Sequence, residues 1–136
     1  MPVKVWQEIT IGELEAMRKN GGNPLGLAVE EGPLYIILIV CRWKKEEDDA
    51  AIYQMVSTAL KRIKLKAASL GLQNDFVYMN YASMFQDVIS SYGSDNKARL
   101  KDIASKYDPA RVFQELQPGH FELDKPPVSD SGYFSF

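Results

Sequence analysis

The chain carries one histidine, His120, and one cysteine, Cys41, so much common catalytic equipment is excluded at once. A lone thiol makes neither an intramolecular disulfide nor a cysteine zinc cluster. A lone imidazole makes no multi-histidine metal site within one chain. Cys41 closes a continuous apolar run, which points to an inert, buried thiol with no base beside it in sequence. His120 is the one side chain with an ordinary pKa near neutrality. It could serve as a general base if the C-terminal segment folds over a pocket; its Pro-Gly-His setting equally suits an exposed, idle turn residue. Asp87 and Asp108 read as structural, one at a helix start and one in a Tyr-Asp-Pro helix stop. What remains for chemistry is neutral or cationic hydrogen bonding. Tyr78, Asn80 and Arg42 could each bond a carbonyl oxygen and polarise it. Ordinary strand packing also accommodates Tyr35 and Tyr78, and Arg42 beside Trp43 at a strand end also suits a surface position. A mid-strand Asn80 demands partners, since a buried amide must be bonded.

These side chains need elements to hold them. Residues 3–9 alternate as a short strand, and Thr10-Ile11-Gly12-Glu13 is a capping box opening a helix to about Lys19. Asn20-Gly21-Gly22-Asn23-Pro24 stops that helix. Residues 25–30 and 34–43 read as strands. The second is apolar on both faces, which predicts a central strand covered on each side. Helical spacing of Ile52, Met55, Val56, Ala59, Leu60, Ile63, Ala67 and Leu70 predicts a long helix over 46–70. Its acidic start and basic end complement the helix dipole, and Gly71 suits its cap. Residues 76–81 read as a strand, 84–91 as a short helix, and Ser94 or Asp95 caps a last helix to about Tyr107. Strand alternation would set Tyr35, Cys41 and Trp43 on one face against Arg42, and Tyr78 with Asn80 against Met79 and Tyr81.

At 136 residues the chain has room for one core and no separate cofactor domain. Residues 1–123 are expected to form a single domain, followed by a 124–136 tail ending in Tyr133-Phe134-Ser135-Phe136. A net charge of -2 offers no electrostatic footprint for nucleic acid or anionic lipid. The N-terminus lacks a secretory pattern, and the longest apolar run, residues 34–41, is less than half a membrane span. The expected compartment is the cytoplasm.

Several motifs occur together in order: Tyr78-Met79-Asn80-Tyr81-Ala82, Gln86-Asp87, Tyr92-Gly93, Asn96, Arg99-Leu100, Lys106-Tyr107-Asp108-Pro109 and Val112-Phe113-Gln114. Upstream lie Gly21-Gly22-Asn23-Pro24-Leu25-Gly26-Leu27 and a strand ending in Trp43. This series resembles the C-terminal part of fungal berberine bridge enzyme-like FAD-linked oxidases. In that family the N-terminal two thirds carry most of the flavin site, and no counterpart stands in this sequence. Gly21-Gly22 lacks the strand-turn-helix setting of a phosphate loop. The resemblance therefore implies a flavin-free fragment with no cofactor, starting from its own Met1.

The implied fold is α+β: a small antiparallel sheet covered on one side by helices and completed by homodimerisation, which would bury the edge left by the missing domain. The same likeness puts Asn80 and Tyr81 where the family contacts flavin, with Tyr78 toward substrate or flavin. A vacated cavity would then hold a small apolar molecule against Tyr35, Trp43, Met79 and Tyr81, with Tyr78, Asn80, Arg42 or His120 as catalytic groups. The expected activity is a cofactor-independent cyclase or isomerase acting on a polyketide- or terpenoid-like intermediate in fungal natural-product biosynthesis. The rival is a noncatalytic accessory subunit partnering a full-length, FAD-linked pathway oxidase. Neither nucleic acid nor membrane is expected as a partner.

Overall fold

A computed structural model describes residues 2–117, 119–129 and 132–133. The fold is α+β, with a two-stranded antiparallel sheet and four α-helices among the described residues. These residues group into two compact units, one drawn from 2–7, 35–75, 129 and 132–133, the other from 8–34, 76–117 and 119–128. Phe134 to Phe136, the end of the aromatic tail, lies outside the described residues.

In the first unit, β2 (Leu34–Cys41) pairs with β1 (Pro2–Ile9). The expected central strand is instead one of just two strands among the described residues, and its side chains are mostly half-buried. Its apolar run records a demand for cover on both faces, but a hydrophobic pattern does not count neighbouring strands. Just past β2, the Trp43 indole N–H donates to Asp49 Oδ1 at 2.5 Å, and its ring meets Tyr53 edge-on at 5.7 Å. That contact joins the strand end to α2 (Asp49–Ser69), which a single 3-10 turn, Glu46–Asp48, precedes. Ile52, Val56, Ile63 and Ala67 lie on the half-buried side of α2, as the spacing requires. The helix ends in a Schellman motif: Leu72 N–H reaches the Ala67 carbonyl at 2.9 Å, Gly71 N–H reaches that of Ala68 at 3.0 Å, and Gly71 takes φ +67°.

In the second unit, α1 (Ile11–Met17) starts on the expected capping box. Thr10 N–H donates to Glu13 Oε2 at 2.7 Å, and Glu13 N–H returns a bond to Thr10 Oγ1 at 3.3 Å. Those bonds from Thr10, backbone first, hold the Glu13 carboxyl below its ordinary pKa. Leu14 on this helix is 1% exposed.

The strand expected at 25–30 is a loop with a 3-10 turn at Val29–Glu31. The physical reason is Asn23, whose side chain takes the place of a ladder partner: Oδ1 accepts from Leu25 N–H at 3.0 Å, and Nδ2 donates to the Leu27 carbonyl at 2.9 Å. Residues 76–81 likewise form no ladder. Val77 N–H donates to Ser91 Oγ at 3.1 Å, and Met79–Tyr81 closes into a 3-10 turn with Tyr81 N–H on the Tyr78 carbonyl at 3.0 Å. The helix expected at 84–91 resolves into turns and a 3-10 segment, Ser90–Tyr92, because Gln86 and Asp87 bond nearby backbone amides with their own side chains.

Val88, Ile89 and Tyr92 form a buried cluster of this unit, with Phe76, Met79, Leu100 and Phe121 among the residues packed on it. Then α3 (Ser94–Tyr107) begins after Gly93, at φ +87°, without the Ser94 or Asp95 side-chain cap that was expected. Asp108 accepts the first amides of α4 (Val112–Glu115), from Val112 at 2.8 Å and Phe113 at 2.9 Å.

Gly26 has φ +75°, and a Cβ built there would stand 2.4 Å from the Tyr92 carbonyl oxygen. Gly71 has a similar φ, +67°, with nothing within 4 Å of such a Cβ. Gly71→Ala should therefore cost only the backbone strain, about 1–2 kcal/mol. Gly26→Ala should cost more than twice that, because the loop must leave the core. Urea unfolding of the two variants checks the difference; equal losses would show that the close approach carries no weight.

Candidate functional site

The eight candidate residues divide between the two units: Tyr35, Arg42 and Trp43 in the first, Tyr78, Met79, Asn80, Tyr81 and His120 in the second. In the first, Tyr35 is 67% exposed on β2, Arg42 is exposed just past the strand, and Trp43 is held by Asp49 and Tyr53. Two open grooves of about 320 and 620 Å³ run along α2. Their walls are residues such as Met55, Thr58, Ala59 and Arg62, and none of the candidates lines them. Ser57, buried on α2, donates its hydroxyl to the Tyr133 carbonyl, and the Tyr133 ring lies 6.1 Å from that of Tyr53. Tyr133 of the tail is thus packed on α2.

In the second unit, one turn brings three candidates together. Asn80 Nδ2 donates to the Tyr78 hydroxyl oxygen at 2.7 Å, and the Tyr78 and Tyr81 rings meet edge-to-face at 4.9 Å. Met79, the fourth, is half-buried and packs on the Val88-Ile89-Tyr92 core. The turn is therefore tied to the core at Met79 and carries the bonded Tyr78–Asn80 pair, Tyr78 half-buried and Asn80 exposed. Its chemistry follows from hydrogen-bond direction: with the Asn80 amide donating to the phenol oxygen, the phenol proton of Tyr78 remains to be donated elsewhere, and the incoming bond strengthens that donor. Asn80 is exposed on this turn, so the demand of a buried mid-strand amide does not arise. His120 is exposed, with its ring 6.5 Å from that of Phe121.

From sequence alone Ser91 has no role, Asn23 is only part of a helix stop, and Asn96 is only one residue of the motif series. Ser91 Oγ accepts from Val77 N–H and donates to the Val88 carbonyl at 2.6 Å, fixing the approach to Tyr78 onto the core. Asn96 Nδ2 donates to the Tyr92 carbonyl at 3.0 Å, the same oxygen that Gly26 approaches. The available signal was Asn and Ser beside glycine in loops, where short polar side chains replace backbone partners. Nearby, Lys101 and Arg111 bond Asp124 at 2.5 and 3.1 Å and hold its carboxyl below the ordinary range. Arg111 itself sits at φ +57°.

Among the described residues no three His, Cys, Asp or Glu side chains come together as a metal site, and no helix is long and apolar enough to cross a membrane. A flavin fits these residues incompletely. Tyr78, Asn80 and Tyr81 could meet the edge or face of its ring system, but Gly21-Gly22 follows the end of α1 and offers no helix N-terminus to a pyrophosphate.

Comparison with known proteins bears on the same turn. Residues 77–118 match the family described as Berberine and berberine like. The chain is 38% identical over 113 residues to the FAD-dependent monooxygenase drtC of Aspergillus calidoustus, covering 83% of this chain and 21% of that protein. It is 39% identical over 117 residues to the FAD-dependent monooxygenase FUP4 of Fusarium proliferatum, covering 86% and 23%. It is 32% identical over 117 residues to the bifunctional solanapyrone synthase of Alternaria solani, covering 86% and 22%. No solved structure matches the chain. The likeness read from the motifs therefore holds: these residues correspond to the berberine-like portion of fungal FAD-linked oxidases. The chain spans about a fifth to a quarter of the length of the relatives it matches.

Tyr92 anchors the turn from below, and burial pushes its phenol above the ordinary pKa of 10.0, a backbone bond from Met79 opposing the shift. A phenol whose folded pKa is raised contributes stability that is complete below the unfolded pKa near 10 and is lost as pH climbs through the folded value. Tyr92→Phe should cost about 1 kcal/mol at pH 8, from the lost Met79 bond. Between pH 10 and 12 it should lose stability less steeply than the native chain. Urea midpoints across that range check it; parallel slopes would show that Tyr92 does not govern alkaline unfolding.

Proposed function

We propose that this chain acts as the berberine-like, substrate-side part of an FAD-dependent oxidase, working docked on a flavin-bearing polypeptide to which it presents Tyr78, Asn80 and Tyr81. The observation that carries the reading is the coincidence of the family match, residues 77–118, with the core-anchored turn and its bonded Tyr78–Asn80 pair. Three further observations support it. The likeness to FAD-dependent monooxygenases runs over more than four-fifths of the chain. The residues present offer a ring-edge contact without a pyrophosphate cradle, so the flavin would be held elsewhere. Tyr107, Phe113 and Leu116, on and just beyond α3 and α4, are 73%, 71% and 75% exposed, apolar side chains that a docked partner would cover.

In this role the chain's residues bind and orient. Tyr78 donates its phenol proton to a carbonyl or phenolate oxygen of the substrate, while Asn80 fixes the hydroxyl rotor and Tyr81 supplies a flat wall. The flavin, bound by the partner, would supply the redox chemistry.

A second reading, the cofactor-independent cyclase or isomerase on an apolar intermediate, draws on the likeness to a bifunctional synthase. The same Tyr78 donor would then polarise a carbonyl unaided.

One experiment separates them. The drtC monooxygenase of Aspergillus calidoustus is expressed without the stretch that aligns with this chain, then mixed with the purified 136-residue chain. A complex that retains FAD and oxidises the drtC substrate is the expected result, with Tyr78→Phe lowering turnover roughly ten- to a hundredfold while the complex persists. No complex at 50 µM, together with flavin-free conversion of a linear precursor by the chain alone, would overturn the docking reading in favour of the cyclase.

A further inference from the structure

Strand β1 is exposed along residues 2–8, and Trp6 on it is 57% exposed. Its inner edge pairs with β2, and among the described residues no third strand meets its outer edge. Period-two alternation puts Lys4, Trp6 and Glu8 on one face, and the Lys4 ammonium lies 5.2 Å from the centre of the Trp6 ring. We infer that β1 is a self-pairing edge: two copies of this chain join antiparallel through residues 4–8, converting two two-stranded sheets into one of four strands. This surface is independent of the residues used in the proposed function.

The register follows from charge. A twofold axis at Trp6 sets Lys4 of one copy opposite Glu8 of the other, twice, with Trp6 against Trp6 between the two pairs and Val5 against Gln7 on the other face. Directly opposed side chains on one face are the units that stabilise a sheet, and unlike charges or paired aromatics there are favourable. Sliding the strands by two residues either way sets Lys4 opposite Trp6 or Thr10 and leaves both charges unmatched. Edge lysines and prolines ordinarily discourage such pairing. Here Pro2 lies outside the paired segment, and the Lys4 charge is answered only in this one register, so the same residues that discourage random aggregation specify a single partner. Backbone pairing of residues 4–8 also removes unpaired amides and carbonyls from the edge, and a four-stranded sheet passes the size at which isolated β-ribbons are marginal.

The test is a charge-swap cycle read by sedimentation equilibrium of the full chain from 1 to 200 µM, with circular dichroism to confirm folding. The native chain should dimerise with a micromolar Kd. Lys4→Glu and Glu8→Lys should each raise that Kd at least tenfold, since each replaces two attractive pairs with two repulsive ones. The Lys4→Glu/Glu8→Lys double variant should bring the Kd back to within threefold of native. A native chain that stays monomeric at 200 µM overturns the inference. So does a dimer indifferent to the single reversals, which would place the interface elsewhere, or a double variant that does not recover.

Discussion

The second unit depends on what surrounds one residue, Tyr92. Its ring stacks on Phe76 at 5.9 Å, and its side chain belongs to the buried trio with Val88 and Ile89. Its carbonyl oxygen is approached by Gly26 and bonded by Asn96, and its hydroxyl takes a backbone bond from Met79. One tyrosine thus ties the 23–27 loop, the start of α3 and the turn bearing Tyr78 and Asn80. The constraint is mutual: the carbonyl is reachable because position 26 has no side chain, and the ring is buried because residues 76–79 lie over it. A single 3-10 turn held by two backbone bonds, Tyr81 to Tyr78 and Ala82 to Met79, has little stability of its own. Its geometry is borrowed from this core, so any chemistry at Tyr78 and Asn80 is only as well positioned as Tyr92 is.

How legible this was in the sequence depended on the kind of signal. The capping box at Thr10, most of the α2 stripe and the Gly71 cap were readable because each is a local rule with a fixed offset; Met55 and Leu70, expected on that stripe, are exposed. Residues 25–30 and 76–81 misled for a common reason. Both have the apolar content of strands, but Asn23 and Ser91 offer side-chain partners to the amides a ladder would have used. Apolar pattern reports which residues seek burial and is silent on what bonds their backbone. The Tyr78–Asn80 pairing was legible as spacing and wrong as geometry. Positions two apart share a face of a strand, yet here they meet across a turn through a side-chain bond. The grouping of Tyr35, Arg42 and Trp43 in one unit and the rest in another had no local signature at all, because it depends on contacts far apart in sequence.

The first unit shows a different balance. β2 asks for cover on both faces, yet the described sheet gives it β1 and no further strand. Trp43 and Tyr53 close one end by ring contact, and Ser57 takes the Tyr133 carbonyl. A buried serine hydroxyl on an amphipathic helix is a cost unless bonded, so its use on a tail residue makes that tail contact part of the packing of α2. Leu65 on the last turns of α2 and Leu72 just past its end are 62% and 71% exposed, so packing on this unit is uneven.

These features also bear on what kind of catalyst such a segment can help to make. Its candidate groups are phenols, an amide, a guanidinium and an exposed imidazole. The bonded Asp124 carboxylate, with Lys101 on α3 and Arg111 just before α4, is engaged in holding those helices to the segment that follows them. A neutral phenol whose oxygen already accepts a bond contributes by orientation and by one directed proton, worth most where water is excluded. Half-buried on its own turn beside the exposed Asn80, Tyr78 has that exclusion only in part; a surface laid over it would complete it. The value of the donor therefore rises with docking, and the physical case for a covering partner is strongest at the residues where the chemistry would occur.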